Sequence, residues 1–283
     1  MDPDSGGFSS SAIFKKALLT VSFSSFYFYQ TGKNNLVYSG PVIRYDSSPV
    51  AKKAPPASPK KKKKVIYLSF DDGPQKGTGK VLAVLKEEQV PATMFLVGEH
   101  IYGSSYQSEL YDSLKENELL QLSNHSYTHA FHNRFSSFYE NADSAVADFK
   151  RCADSLALSN TIARTPGRNI WRTKTISSTD ITASAATADS LQKNGFTVIG
   201  WDLEWHFDQH DRLVQTDSLM MKQVDSFFCK RQTKTRDHLV LLAHDRNFAL
   251  PRDSARLHRF IKEMKKTDEY DFDTLNNYPA VVN

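Results

Sequence analysis

The sequence is poor in cysteine and has no long apolar run, and each shortage excludes a class of protein. Of its 283 residues, only Cys152 and Cys229 are cysteines. Two cysteines cannot form a disulfide framework, and these two lack the clustered spacing of a thiolate zinc site. With 40% hydrophobic and 24% charged residues, the composition is that of an ordinary globular protein. Collagen-like, disordered and multi-span membrane proteins are therefore excluded.

Basic charge is concentrated at the front of the chain. Residues 1–64 hold 11 Lys and Arg residues against 3 Asp and Glu residues. Residues 65–283 hold 25 against 29, which is a net charge of −4. Because this larger part has no excess of basic residues, we expect it to bind no nucleic acid. The run Lys60–Lys64 has the composition of a nuclear localisation signal, but a solvated basic linker is the stronger interpretation.

Residues 1–64 are predicted to be an N-terminal export or anchor segment followed by a linker. Two lysines and then a short apolar and aromatic run fill residues 13–29, a pattern typical of a secretory signal peptide. Two early aspartates and the lack of a small-residue cleavage site leave a disordered or strand-like extension as the alternative. Residues 47–59 contain four of the 11 prolines, which favours an extended linker. We expect a secreted or cell-envelope protein whose lysines contact a membrane or envelope surface.

Strands and helices alternate from Val65 onward, so residues 65–283 are predicted to form one catalytic domain. Short apolar runs read as buried strands, at residues 65–68, 92–97, 196–201 and 239–242. Apolar residues at helical spacing predict helices that start at Thr78 and Asp253 and others over residues 142–156 and 182–193. This alternation predicts an α/β fold with a mainly parallel sheet, either open or closed into a barrel.

Reactive side chains follow the predicted strands. Residues 69–74 read SFDDGP and place Asp71 and Asp72 at a strand end, where one carboxylate can hold a metal and the other can face the substrate. On a helical turn, the spacing of His125 and His129 puts both on one face, where they can bind one metal. Asp72 would complete a two-histidine, one-carboxylate site. Each motif alone is weak, since solvated Asp-Asp-Gly-Pro turns and coincidental histidine pairs are common.

Three further segments carry candidate residues. Residues 164–168 read RTPGR, and residues 241–245 read LLAHD, with His244 at the end of a buried strand. A lone histidine at a strand end is more often structural than catalytic. Between these segments, residues 200–205 read GWDLEW and form an aromatic and acidic strand end.

Together and in this order, these segments resemble the polysaccharide deacetylases, the NodB homology domain of carbohydrate esterase family 4. SFDDGP, HSYTH, RTPG and LLAHD are similar to successive motifs of that family, and the resemblance covers about residues 65–264. It implies a distorted, incomplete (β/α) barrel. It also implies a hydrolase that removes N-acetyl groups from N-acetylglucosamine units of a polysaccharide such as peptidoglycan or chitin. The partner would be a carbohydrate polymer, and we expect the protein to be a monomer.

The resemblance also implies the metal and the catalytic groups. The family holds a divalent metal, usually zinc and otherwise cobalt or nickel, which here would be bound by Asp72, His125 and His129. Asp71 would be the general base and His244 the general acid. A general base and a general acid fit amide hydrolysis, because an amide is unreactive and its leaving amine needs a proton.

The remaining implied residues are a positioning group and the substrate groove. Arg164 would hold Asp71 in place, and Leu242 would line the pocket for the acetyl methyl group. Gly167 stands where the family often has tyrosine, so its backbone N–H would still face the oxyanion while the aromatic wall of the groove is lost.

The aromatic and acidic motif also departs from the family pattern. Either Asp202 or Glu204 would orient the catalytic histidine, and either Trp201 or Trp205 would stack on a sugar. The alternatives for function are an acetyl-ester hydrolase acting on xylan, a small-molecule amide hydrolase on the same fold, and a non-catalytic carbohydrate-binding protein. The complete set of catalytic residues argues against the last.

Overall fold

The computed structural model describes residues 62–282 and shows one large β-sheet with helices packed against it. The predicted export segment and most of the linker lie outside the described residues. The strands are β1 (Lys64–Gly73), β2 (Ala92–Leu96), β3 (Leu120–Asn124), β4 (Ile162–Ala163), β5 (Ile170–Arg172), β6 (Ser177–Thr179), β7 (Thr197–Val198), β8 (Leu203–Glu204), β9 (His238–His244) and β10 (Tyr270–Phe272).

The helices lie between these strands. They are α1 (Thr78–Glu88), α2 (Ser105–Lys115), α3 (His129–Asn133), α4 (Phe135–Glu140), α5 (Ala142–Ser155), α6 (Ala185–Lys193), α7 (Asp217–Cys229), α8 (Pro251–Lys266) and α9 (Pro279–Val282). Short 3-10 helices occur at Gly98–Tyr102, Thr182–Ser184, Asp245–Phe248 and Leu275–Asn277. Within residues 62–282, no helix has the length and apolar character needed to cross a bilayer.

The sheet is a curled, incomplete barrel, as predicted. Its strands follow the order β6-β5-β7-β4-β3-β2-β1-β9-β8, and β10 pairs with the start of β1. Only β5 pairs antiparallel, with β6 and β7. In the described sheet, the edge strands β6 and β8 do not pair with each other, so the barrel stays open.

Strand β1 is buried on both faces, which explains its continuous apolar run. Ile66, Leu68 and Phe70 pack into the cluster that also contains residues of α1 and α8 on the outside of the sheet. Tyr67 points the other way and packs with Phe95 inside the sheet, because successive strand side chains alternate in direction.

The predicted helices agree with the structure, whereas one predicted strand is shorter than expected. α1, α5 and α8 cover the predicted positions, and residues 182–193 form a 3-10 turn followed by α6. The strand predicted over residues 196–201 is shorter, because only Thr197–Val198 pairs regularly. Beyond it, Trp201 donates its N–H to the side chain of Asn169 at 3.1 Å instead of to a neighbouring strand.

The end of the lysine run contacts residues near β10. Lys63 Nζ lies 2.6 Å from a carboxylate oxygen of Asp268 and 3.1 Å from one of Asp271. Lys64 is the first residue of β1 and its Nζ lies 3.7 Å from a carboxylate oxygen of Glu269. These two residues of the predicted linker therefore belong structurally with the sheet.

Candidate active site

The predicted reactive residues meet at the carboxyl edge of the sheet. β1 and β9 are paired so that Asp71 lies opposite His244. β3 and β4 are paired at Asn124 and Ala163, and the residues that directly follow them are His125 and Arg164. Because parallel strands end at the same edge, segments far apart in sequence are brought together there.

Asp72 lies at an irregularity in β1. The register between β1 and β2 shifts between Asp71 and Gly73, and Asp72 has a φ of 72°. A bulge of this kind turns a side chain away from the regular strand direction, so the two adjacent carboxylates have different partners. His100 holds the bulge, since its Nδ1 lies 2.8 Å from the main-chain oxygen of Asp72.

Asp72, His125 and His129 converge as a candidate metal site. The Oδ1 atom of Asp72 lies 3.4 Å from Nε2 of His125 and 3.2 Å from Nε2 of His129. All three candidate ligand atoms lie within 4.8 Å of one another. Among the described residues, this buried Oδ1 has no hydrogen-bond partner. A buried carboxylate oxygen that faces two imidazole nitrogens fits a divalent cation with His and Asp ligands.

The hydrogen-bond partners of the two Nδ1 atoms also support metal binding by these histidines. Nδ1 of His125 lies 2.9 Å from the main-chain oxygen of Arg164, and Nδ1 of His129 lies 2.6 Å from Oδ1 of Asn133. Carbonyl and amide oxygens only accept hydrogen bonds, so each Nδ1 carries the proton. Each neutral ring therefore presents the lone pair of Nε2 to the site, the arrangement typical of metal-binding histidines.

The two histidines do not share a right-handed helical turn, so the predicted reason for their alignment is wrong. His125 directly follows β3, and Ser126 has a φ of 65°. All five residues of α3 also have positive φ, so this short helix is left-handed. His129 is its first residue and reaches the site from there.

Asp148 of α5 holds the loop before α3. Its carboxylate accepts the main-chain N–H groups of Tyr127 and Thr128 at 3.0 and 3.1 Å, and the hydroxyl of Thr128 at 3.1 Å. These three hydrogen bonds to a buried carboxylate fix the conformation of the loop. This residue was not identified from the sequence, where it is only one acid in an amphipathic helix.

Burial would raise the pKa of Asp72, but the imidazoles of His125 and His129 face its carboxylate and hold that pKa well below its usual range. Burial lowers the pKa of His129, but the carboxylate of Asp72, together with Asn133 and Asp71, leaves that pKa raised overall. Because the pKa of Asp72 is lowered, its carboxylate is negative at the point where the three candidate ligands meet.

The predicted contact between Arg164 and Asp71 is present. The guanidinium of Arg164 is fully buried and donates to Oδ1 of Asp71 at 2.9 Å and to the hydroxyl of Ser69 at 2.8 Å. It also donates to the main-chain oxygens of Ile199 and Gly200 at 3.1 and 2.9 Å. These four acceptors orient the guanidinium and so fix one oxygen of Asp71.

His244 ends β9 and lines the same cavity as Asp71. Its ring packs edge-on against Phe207, with 5.0 Å between ring centroids. Nδ1 of His244 is buried without a hydrogen-bond partner among residues 62–282. Burial lowers the pKa of His244, because the charged imidazolium is poorly solvated there.

A cavity of about 400 Å³ contains the site. It is lined by Asp71, Asp72, His125, His129, Asn133, Phe135, Gly167, Trp201, Glu204, Leu242, His244 and Arg246. Four of the six predicted groove residues therefore lie in its wall, namely Leu242, Gly167, Trp201 and Glu204.

Trp205 does not lie in the groove, so the prediction that it stacks on a sugar is wrong. The side chain is 1% exposed and its ring packs against Phe248 and Phe260 in the core. Its indole N–H donates to the main-chain oxygen of Gln215 at 3.0 Å. Trp201 is left as the tryptophan that can meet a substrate.

Asp202 is also directed away from the cavity. Its carboxylate accepts the main-chain N–H groups of Val240 at 2.8 Å and Lys234 at 2.7 Å. Val240 lies four residues before His244 on β9, so this carboxylate cannot orient His244. Of the two predicted candidates, Glu204 lines the cavity together with His244.

Arg246 is a charged residue of the site that sequence reasoning missed. Its Nη1 lies 3.2 Å from Oδ2 of Asp72, and its guanidinium lies over the ring of Phe207 at 4.9 Å. Its position two residues after His244 was the feature of the sequence that could have identified it as a residue of the site. Asn133 and Phe135 were also missed, because only the left-handed turn brings them to the cavity.

Comparison with known proteins agrees with this geometry. The sequence model of the polysaccharide deacetylase family matches residues 58–170, which include the two aspartates, both ligand histidines and Arg164. Over these residues the chain is similar to the polysaccharide deacetylases.

Individual relatives and solved structures extend the match. The chain is 28% identical over 227 residues to a peptidoglycan-N-acetylglucosamine deacetylase of Bacillus cereus, covering 78% of this chain and 73% of that protein. It is 24% identical over 308 residues to a chitin disaccharide deacetylase of Vibrio alginolyticus, covering 76% and 71%. The catalytic domain of a peptidoglycan N-acetylglucosamine deacetylase from Eubacterium rectale has the same fold, with a TM-score of 0.57, 20% identity and coverage of 82% and 96%.

Proposed function

We propose that this chain is a metal-dependent hydrolase that removes N-acetyl groups from N-acetylglucosamine units of a polymer such as peptidoglycan or chitin. The observation that carries the proposal is the convergence of three candidate metal ligands beside the Asp71–Arg164 pair and His244 in one cavity. The named activities of the Bacillus cereus and Vibrio alginolyticus relatives support the substrate class.

Asp72, His125 and His129 would hold one divalent cation. Two imidazoles and one carboxylate suit Zn²⁺, with Co²⁺ or Ni²⁺ as alternatives. When bound, the cation would polarise the acetyl carbonyl and lower the pKa of a water molecule to about 7.

Asp71 is the proposed general base. Arg164 holds its Oδ1, whereas its Oδ2 lies 3.8 Å from Nε2 of His125 and so faces the ligand cluster. That oxygen can accept a proton from the attacking water. The arrangement divides the work between the two aspartates, since Asp72 faces both histidines.

His244 is the proposed general acid. It lies opposite Asp71 across the β1–β9 pairing, so it can give a proton to the leaving amine nitrogen while Asp71 takes one from water. Burial lowers its pKa, which makes the protonated ring a stronger acid. The apolar side chain of Leu242 lines the same cavity and offers a contact for the acetyl methyl group.

Acetate release tests the proposal. The purified protein is incubated with chitin oligomers, peptidoglycan, acetylated xylan and small acetylated amides, with and without a chelator, and Asp71→Asn serves as the matched inactive control. We expect acetate from the N-acetylglucosamine polymers, loss of activity with chelator, and recovery with Zn²⁺. Release from xylan alone would favour the ester hydrolase, and binding without release would favour the carbohydrate-binding protein.

We also propose a secreted or cell-envelope location, which is supported by the sequence of residues 1–64 alone. Fractionation of cells that express the full chain, compared with a chain shortened to residues 58–283, tests it. The full chain is expected with the envelope or medium, and the shortened chain inside the cell.

A further inference from the structure

The ring of Phe135 occupies the space that a side chain at position 167 would take. Gly167 has a φ of 62°, and a Cβ built on it would lie 2.9 Å from Cε1 and 3.2 Å from Cζ of Phe135. Cβ atoms essentially never approach another heavy atom to less than 3.0 Å. The missing side chain at Gly167 is therefore what lets this ring stand in the cavity wall.

The left-handed turn delivers Phe135 to that position. Phe135 is the first residue of α4 and follows α3, whose residues all have positive φ. Its ring meets the ring of His129 edge-on, with 6.0 Å between centroids. One side of the half-buried ring packs against the cluster that contains Phe138, and the ring also lines the cavity.

The cavity offers few apolar surfaces. Most of its wall consists of carboxylates, imidazoles and a guanidinium. Leu242 is 1% exposed, so the rings of Phe135 and Trp201 are the broad apolar faces available there. The C–H face of a pyranose ring packs well against such an aromatic face.

We propose that Phe135 is a specificity-determining residue that supplies the aromatic wall for a sugar ring of the substrate, in place of an aromatic side chain at position 167. The inference rests on the proposed function, because it needs a sugar at this site. It corrects the expectation that Gly167 leaves the groove without an aromatic wall.

Binding and turnover of a soluble chitin oligomer test the role of the ring. Phe135→Leu should raise KM by roughly 5- to 10-fold, the size of one aromatic contact, with a smaller change in kcat. Phe135→Tyr should stay close to the unmodified protein. Tyr106→Leu is the matched control, since Tyr106 is an exposed aromatic residue outside the cavity. Equal KM values for Phe135→Leu and the control would overturn the proposal.

A double-mutant cycle tests the link to Gly167. In the unmodified background, Gly167→Ala should raise KM, because the new Cβ displaces the ring of Phe135. In the Phe135→Ala background the same change should raise KM little, since the space is free. An equal effect in both backgrounds would show that Gly167 is needed only for its backbone conformation.

Calorimetry on the Asp71→Asn protein separates this inference from the proposed function. Without turnover, adding Phe135→Leu should still weaken binding of the oligomer by the same roughly 5- to 10-fold. If the unmodified protein releases no acetate but Phe135→Leu weakens binding, the proposed function fails and the aromatic wall stands. If acetate is released and binding is unchanged, the aromatic wall fails alone.

Discussion

The buried ion pair between Arg164 and Asp71 permits a quantitative test of how the proposed general base is held. In Arg164→Met the chain keeps an unbranched side chain but loses the whole guanidinium. That group donates to Asp71, to the hydroxyl of Ser69 and to the main-chain oxygens of Ile199 and Gly200. The substitution therefore removes all four hydrogen bonds while leaving most of the packing in place.

The expected cost follows from what remains buried. The side chain of Asp71 is 4% exposed, and loss of one partner of a buried ion pair costs about 3–5 kcal/mol. Each main-chain oxygen left without a donor adds about 1 kcal/mol. We expect Arg164→Met to lower the free energy of unfolding by about 5–7 kcal/mol, which is a large share of the total for a typical domain.

The charge on Asp71 causes most of this cost, so removing that charge should relieve it. In Asp71→Asn the amide oxygen can still accept from Arg164, and the double variant leaves no unpaired charge. We expect the double variant to be more stable than the sum of the single effects predicts, by about 2–3 kcal/mol. Urea unfolding followed by circular dichroism measures all four proteins.

Two outcomes would contradict this account. Single effects that add within about 0.5 kcal/mol would show that Arg164 supports the fold without acting on Asp71. Full turnover by Arg164→Lys would also contradict it, because an ammonium cannot reproduce the planar array of donors that reaches four acceptors.

Three further predictions address the other groups. Asp72→Ala should lose the divalent cation, measured as metal content after dialysis, and a full complement of metal would contradict the ligand assignment. Asp71→Asn should keep the metal while turnover falls roughly 10²–10⁴-fold, and an unchanged rate in His244→Ala would exclude that residue as the acid. Burial raises the pKa of Asp202 to about 6, so its contribution to stability, present below about pH 4, is lost as the pH rises through 6. In Asp202→Asn this fall in unfolding free energy should disappear, and a variant that keeps the same pH slope would refute it.

The positions of the groups proposed to be catalytic were predictable because these groups lie at strand ends. Apolar runs identify the strands, and parallel strands end at one edge, so Asp71 and His244 had to lie near each other. The motifs then identified which polar residues at that edge belong together. Arg164 follows the same rule, since it comes directly after β4.

The position of Trp205 was predictable from strand alternation, although the motif left Trp201 and Trp205 as alternatives. Side chains two residues apart in a strand point the same way. Leu203 and Trp205 therefore both face the core, whereas Glu204 between them faces the cavity. Alternation gives the correct assignment here, and resemblance to an aromatic motif did not.

The left-handed turn could not be predicted from local sequence. None of its five residues is glycine, although positive φ is disfavoured for residues with a side chain. The conformation is held from outside, by Asp148 before the turn and by the hydrogen bond between His129 and Asn133 within it. The contact with Asp148 depends on packing between distant segments, which cannot be predicted from the sequence of the turn itself.

This turn joins the two halves of the site. His129 begins it as a candidate metal ligand, and Phe135 follows it as the aromatic wall. The other two candidate ligands lie on or directly after strands, so their positions are set by the sheet. A change in the turn would therefore move the third ligand and the sugar-facing ring together. Asp148 and Asn133, which hold the turn, lie outside the four motifs. A substitution of either residue is therefore expected to shift the ring of Phe135 without replacing any of the proposed catalytic residues.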